Sequence, residues 1–158
     1  MKKSYSELQV PDLSRCLKMK KLGFPQDPPG YYWVEVPKNK EFVEWQVLSG
    51  DHFLKFFNSG LLLEERNEGY VWRYLVGEVY WLIPLIKAPT PIEIEQHFKL
   101  EKSDCIWFVK VDDKWIAYYL KRNDENWRYP HEIKSDTLPN AFADLWIWRR
   151  EVENETNS

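Results

Sequence analysis

The residues able to carry out chemistry are few in this chain and lie far apart. The 158 residues include three histidines, His52, His97 and His131, and two cysteines, Cys16 and Cys105. They form none of the HxxxH, HExxH or CxxC spacings of a metal site, and the six glycines form no phosphate-binding loop. The sequence therefore predicts no metal and no cofactor, with a zinc site assembled from distant residues as the alternative.

Nucleophilic and acid–base catalysis have equally weak support. Cys16 and Cys105 each lie in an apolar pattern, which favours buried, unreactive thiols, and no GxSxG sequence is present. Adjacent carboxylates occur at Glu64 with Glu65 and at Asp112 with Asp113, in or beside predicted turns where acidic residues are common. No catalytic residue is therefore predicted, and a cryptic hydrolase is the third-ranked function.

Size, charge and cysteine content favour one cytoplasmic domain. A chain of this length forms a single core, and its net charge of −3 offers no general attraction for nucleic acid. Two cysteines without a paired spacing indicate free thiols in a reducing compartment. No apolar segment has the length of a signal peptide or a membrane span. We expect one domain over residues 1–158, frayed at 1–7 and 153–158, with no membrane partner.

Capping and periodicity predict the helices. Thr90 and Glu93 form a capping box with Pro91 at the first helical position, so a short helix begins there. A first helix is predicted at 11–22 and a last helix after Thr137. The last helix carries an apolar stripe that needs a partner: Leu138, Ala141, Phe142, Leu145, Trp148 and Val152.

The remaining segments predict strands, and the fold class is α+β. We expect a mainly antiparallel sheet of about four to six strands, with the N-terminal and C-terminal helices packed on it. Segments 31–36 and 41–48 form one predicted hairpin, and a helical turn is predicted within 50–60. Residues 61–65 and 70–76 form either a second hairpin or, over 61–69, a helix.

Aromatic residues make up 16% of the chain, and many lie in the hairpin predicted over residues 105–120. Pairing Val111 with Lys114 across the turn sets Trp107 opposite Tyr118 on one face and Phe108 on the other. Both faces are apolar, so the hairpin is either covered on both sides or exposes an aromatic binding surface. We predict that Trp107 is buried under the last helix and that most aromatics fill the core.

Two further features suggest a surface for a protein partner or ligand. On the last helix Ile147 is predicted to point away from the apolar stripe, toward a partner or solvent. Segment 123–132 is predicted as a charged loop whose aromatics stack on bases or sugars or close the edge of the sheet. The candidate surface residues are Trp127, Arg128, Tyr129, His131, Trp146, Ile147 and Arg149.

Four segments together resemble a protein family: CLKMKKLGFPQ leading into YYWV, IKAPTPIEIEQHF, DKWIAYYL and TLPNAFADLWIW. The family comprises small uncharacterised proteins encoded in bacteriophages, prophages and their host bacteria. The resemblance covers the two ends of the chain and leaves residues 37–85 largely outside it. It implies a mobile-element origin and a cytoplasmic α+β domain, and it implies no activity, cofactor or catalytic residue.

These observations favour a non-enzymatic interaction protein that engages another protein or itself. The alternative is a module that binds nucleic acid or carbohydrate through exposed tryptophan and tyrosine. The acidic net charge disfavours the nucleic-acid version without removing it, since a local basic patch would be enough.

Overall fold

The computed structural model describes residues 8–26, 30–37, 43–49, 61–66, 69–76, 79–123 and 126–156. Within them the fold is α+β with terminal helices and antiparallel strands, which confirms the predicted class. The helical turn predicted within 50–60 lies outside the described residues. The elements are α1 Leu13–Lys21, β1 Tyr31–Pro37, β2 Val43–Ser49, β3 Leu61–Arg66, β4 Gly69–Val76, β5 Val79–Lys87, α2 Pro91–Gln96, β6 Asp104–Val111, β7 Lys114–Asn123, β8 Asn126–Ser135 and α3 Leu138–Thr156.

The described strands form two antiparallel sheets. One sheet has the order β2-β1-β5-β4-β3, and the other has the order β6-β7-β8. The β1–β2 hairpin is confirmed, and β3 pairs with β4, so the alternative of a helix over 61–69 is wrong. Strand β5 joins the two hairpins by pairing with β1 on one side and β4 on the other.

Each helix begins at a side chain that caps it. Asp12 accepts a hydrogen bond from the Arg15 backbone N–H at the start of α1. The capping box of α2 is confirmed, with Thr90 and Glu93 bonded reciprocally. The Asn140 N–H donates to Thr137 Oγ1 at 3.3 Å, so Thr137 caps α3 as predicted. Helix α3 continues to Thr156, so residues 153–156, predicted as frayed, are helical.

The register of the β6–β7 hairpin is confirmed, but the assignment of its buried face is wrong. Trp107 pairs with Tyr118 and Val111 with Lys114. Trp107 is 53% exposed, whereas Ala117 on the opposite face is fully buried under α3. The helix approaches closely because Ala117 is small, and Phe108 beside it stacks on Phe142 at 3.9 Å.

Segment 123–132 belongs mostly to a strand, so its prediction as a loop is wrong. Strand β8 pairs with β7, with Glu132 opposite Tyr118 and His131 opposite Tyr119. The register shifts between Tyr119 and Lys121. Pro130 is compatible with this strand because β8 lies at the edge of its sheet, where a missing N–H leaves no gap in the ladder.

Helix α3 is buried on two sides, so the prediction that Ile147 points away from the core is wrong. Ile147 is 6% exposed and Trp146 is 3% exposed. Both belong to a cluster with Met19 of α1, Phe24 beyond it and Ile94 of α2. The first two helices therefore cover the face of α3 that was expected to meet a partner or solvent, while the β6–β8 sheet covers the other face.

Candidate functional site

The side of the β6–β8 sheet that faces away from α3 carries apolar residues, and we call it the outer face. It is formed by Trp107, Val109, Val111, Ile116 and Tyr118, which alternate with the residues facing the helix. Trp107 is 53% exposed and Val111 is 47% exposed, whereas Ile116 is 8% exposed. The Trp107 and Tyr118 rings lie 6.1 Å apart. Trp107 and Val111 are therefore the exposed apolar side chains of this face, and Ile116 is buried.

Charged side chains border the outer face. From β8, Glu132 and Lys134 lie opposite Tyr118 and Ile116 and form an ion pair of 3.1 Å. Lys114 lies opposite Val111 and is exposed. An apolar centre with an exposed tryptophan and a charged rim is the composition of a protein-binding patch.

The inner face of the same sheet carries a polar cluster of Asp104, Tyr119 and Arg149. The Tyr119 hydroxyl donates to Asp104 Oδ2 and accepts a hydrogen bond from the Arg149 guanidinium. Burial and the hydrogen bond to Asp104 raise the pKa of Tyr119 to about 12. Tyr119 therefore stays protonated at neutral pH and is not a general base. Asp104 Oδ1 is buried and has no hydrogen-bond donor within the described residues.

Of the predicted surface residues, Arg149 belongs to this cluster, and His131 lies opposite Tyr119 on the neighbouring strand. The His131 ring stacks on Trp148 with centroids 4.1 Å apart and planes 2° apart. Burial lowers the pKa of His131, so the imidazole is neutral at pH 7. Arg149 bonds to Glu153 at 3.0 Å as well as to Tyr119. Both side chains therefore hold α3 against the sheet.

The other predicted surface residues are not brought together. Trp146 and Ile147 are buried between the helices, as described above. The backbones of Trp127 and Arg128 pair with Arg122 and Lys121 in the first half of β8. The side chains of Trp127, Arg128 and Tyr129 lie outside the described part of the structure.

A second polar network links α1 to α3. Arg15 donates from Nε and Nη2 to the two carboxylate oxygens of Asp144, at 2.7 and 2.9 Å. Ser135 Oγ also donates to Asp144, at 2.6 Å, and Asn140 bonds to both Asp12 and Asp136. The Asp144 hydrogen bonds raise the pKa of Arg15 further. These groups pair with one another, so the network fixes the helices and leaves little for a ligand.

The most buried cation in the described residues is Lys87, at the end of β5. Its side chain is 5% exposed, and Nζ lies 3.0 Å from Glu93 Oε1 in the α2 capping box. Gly30 has a φ of 135°, and a Cβ there would lie 2.5 Å from Lys87 Nζ. Gly30 therefore makes room for the ammonium, and the ion pair fastens β5 to the start of α2.

The described residues contain no group of three or more His, Cys, Asp and Glu side chains placed to hold a metal ion. The helices described here are also too short or too polar to cross a membrane. No family model, curated protein or solved structure matches the chain. The resemblance to phage and prophage proteins therefore stays a prediction.

The two cysteines differ in exposure, and this predicts different rates of reaction. Cys16 is fully buried in α1, as predicted, and burial raises the pKa of its thiol, whereas Cys105, also predicted to be buried, is partly exposed on β6. In the native protein we expect a thiol reagent to label Cys105 well before Cys16, with Cys16 reacting only after local unfolding. Mass spectrometry of timed samples measures the order. Cys16 reacting first would contradict its placement.

Proposed function

We propose that the protein is a non-enzymatic interaction protein that binds a protein partner through the outer face of the β6–β8 sheet. The observation that supports this most is the exposure of Trp107, more than half of whose surface is open to solvent. Tryptophan is enriched at the energetic centres of protein interfaces, and Val111 is a second exposed apolar side chain on the same face.

The surroundings of Trp107 favour a protein over a base or a sugar. Single-stranded nucleic acid requires cations along the path of the backbone. The outer face instead has aliphatic neighbours in Val109 and the exposed Val111, and Lys134 at its border pairs with Glu132. A mixed rim around an aliphatic and aromatic centre suits a protein surface. The ligand-binding module for nucleic acid or carbohydrate is the second candidate, because Trp107 and Tyr118 are also a pair of rings able to stack.

The polar clusters support a non-enzymatic role within the described residues. The groups of the Arg15 and Asp144 network pair with one another, Tyr119 is held protonated, and His131 lies flat on Trp148. A mobile-element origin and a cytoplasmic location remain part of the proposal and rest on the sequence.

A site-specific photo-crosslink tests the proposal. A benzoylphenylalanine residue replaces Val111 on the outer face, and the control replaces Leu17, which is 39% exposed on α1. In the cells that make the protein, we expect position 111 to form a protein adduct that Leu17 does not form. The adduct should disappear in the Trp107→Ala background.

Two results would contradict the proposal. One is an adduct pattern at position 111 that does not depend on Trp107. The other is Trp107-dependent binding of an oligothymidylate or a chito-oligosaccharide by the purified protein, which would favour the ligand-binding module.

A further inference from the structure

One edge of β6 has no partner among the described strands, although the Asp104 N–H at its start donates to the Glu101 carbonyl at 2.9 Å. Among the described strands β6 pairs only with β7, and its sequence DCIWFVKV contains no proline. The other edge strand of this sheet, β8, contains Pro130 and lies beside a register shift. Proline and irregular register are devices that prevent edge-to-edge association. One edge of the sheet is thus protected, and the other is eight residues of regular, mostly apolar strand.

We propose that β6 pairs antiparallel with β6 of a second copy of this chain, about a two-fold axis at Trp107. This inference rests on the proposed function, because it names a second copy as a partner of the same sheet. The two three-stranded sheets then form one six-stranded sheet. Their outer faces become continuous, and the two Trp107 side chains lie next to each other at the axis.

Charge complementarity selects this register. Centred on Trp107, the pairing sets Asp104 of each chain opposite Lys110 of the other, and Cys105 opposite Val109. The two closest alternative registers are centred on Ile106 or on Phe108. Both also set outer-face residues of one chain opposite outer-face residues of the other. Within β6, centring on Ile106 opposes Asp104 with Phe108, and centring on Phe108 opposes Lys110 with Ile106, so neither register forms an ion pair between the two strands. Residues of opposite charge that lie directly opposite each other stabilise a strand pair, which favours the register centred on Trp107.

The state of Asp104 supports the same register. Its side chain is 0% exposed, and Oδ1 is buried with no hydrogen-bond donor within the described residues. The nearest described guanidinium nitrogen, Arg149 Nη1, is 3.8 Å from Oδ2. A buried carboxylate oxygen without a donor is costly. Lys110 is exposed on the same face of β6, so Lys110 of the second copy brings a cation to this carboxylate.

An engineered disulfide tests the register. In the Val109→Cys variant, Cys105 and the introduced thiol at position 109 lie about 13 Å apart along one strand, too far to bond. Across the proposed axis the same two positions are directly opposite, about 4.5–5.5 Å apart between Cα atoms. We expect mild oxidation to give a covalent dimer in which Cys105 of one chain is linked to position 109 of the other. Peptide mass spectrometry identifies the linkage, which should be lost when Cys105→Ser is added.

The Val111→Cys variant is the matched control. Position 111 lies opposite Cys105 only in the register centred on Phe108, so we expect no such linkage from it. A Cys105 linkage from Val111→Cys and none from Val109→Cys would overturn the proposal.

Sedimentation of the unmodified chain tests association itself. We expect a monomer–dimer equilibrium whose Kd rises at least about tenfold in Lys110→Glu, since two ion pairs become two like-charge pairs. Lys114→Glu makes the same charge change on β7 and should leave the Kd within about twofold of the unmodified value. A chain that stays monomeric at all concentrations, or equal effects of the two variants, would overturn the proposal. A monomeric chain could still form the Trp107-dependent adduct with a different protein. The two experiments therefore test the two proposals independently.

Discussion

Replacing Trp146 by alanine is expected to lower the free energy of unfolding by about 3–5 kcal/mol. Trp146 is 3% exposed and meets the Phe24 ring edge-on at 5.1 Å, within the cluster that joins α1, α2 and α3. Its loss leaves a cavity between three elements that are fixed by other contacts and cannot close around it. Urea denaturation followed by circular dichroism measures the change.

Trp107→Ala is the matched control, because it removes the same side chain from an exposed position. Trp107 is 53% exposed on the outer face, so we expect a loss of less than about 1 kcal/mol. The two variants should therefore differ by several kcal/mol. Equal losses would contradict the assignment of Trp146 to the core and of Trp107 to the surface.

Glu93→Gln is expected to lower the free energy of unfolding by about 2–3 kcal/mol, because it removes the carboxylate that faces the buried Lys87 ammonium. Lys87 is 5% exposed and Glu93 is 30% exposed, which keeps the expected loss below that of a fully buried pair. Glutamine at this position can still complete the capping box with Thr90, so the charge is what changes. Glu95→Gln, an exposed position on the same helix, should change stability by less than about 0.5 kcal/mol.

The Glu93 effect should depend on pH. Burial raises the pKa of Glu93, but hydrogen bonds from the Thr90 N–H and from Lys87 outweigh it, and the net pKa is lowered. A carboxyl group with a lowered folded pKa adds stability above its unfolded pKa of about 4.3, and this stability is lost as the pH falls through the folded value. The difference in the free energy of unfolding between the unmodified protein and Glu93→Gln should be largest at pH 7. It should become smaller below about pH 4. A difference in stability that becomes larger as the pH falls would contradict a stabilising ion pair between Glu93 and Lys87.

The sequence predicts the pairing of β6 with β7 but not which face is buried. A two-residue turn and a period of two fix which side chains share a face. They do not fix which face meets the helix when both are apolar. The useful signal was Ala117, a small residue opposite Phe108 on the face where α3 approaches closely. Size, rather than hydrophobicity, marks the inner face here.

The burial of α3 on two sides also has a signal in the sequence. Residues 138–148 are apolar on nearly every side of the helix, which is typical of a helix covered all round. A single apolar stripe explains the burial of Leu145 but not the burial of Ile147 or Ala143. The partners of these two residues are Met19 and Ile94, which lie far away in the chain. Local periodicity carries no information on such distant contacts.

The sequence predicts that the candidate site is aromatic, but it does not predict which residues form it. The aromatic richness of the hairpin indicated either a core or a binding surface, and the structure divides the hairpin between the two. The sequence places His131 in a charged loop and Arg149 within the apolar stripe of the last helix. In the structure the His131 ring stacks on Trp148, and the Arg149 guanidinium lies over the Tyr119 ring. Segment 123–132 was misassigned because Pro130 and its charges are typical of loops, whereas an edge strand tolerates both.

The ion pair between Arg15 and Asp144 joins residues 129 positions apart, and this separation sets a delay during synthesis. At about 5–20 residues per second, a ribosome needs roughly 6 to 26 s to reach Asp144 after making Arg15. During this interval Met19 and Phe24 have been synthesised, but α3, which covers them in the folded protein, has not. The apolar side chains of Met19 and Phe24 therefore lack their covering helix until the end of the chain has been translated.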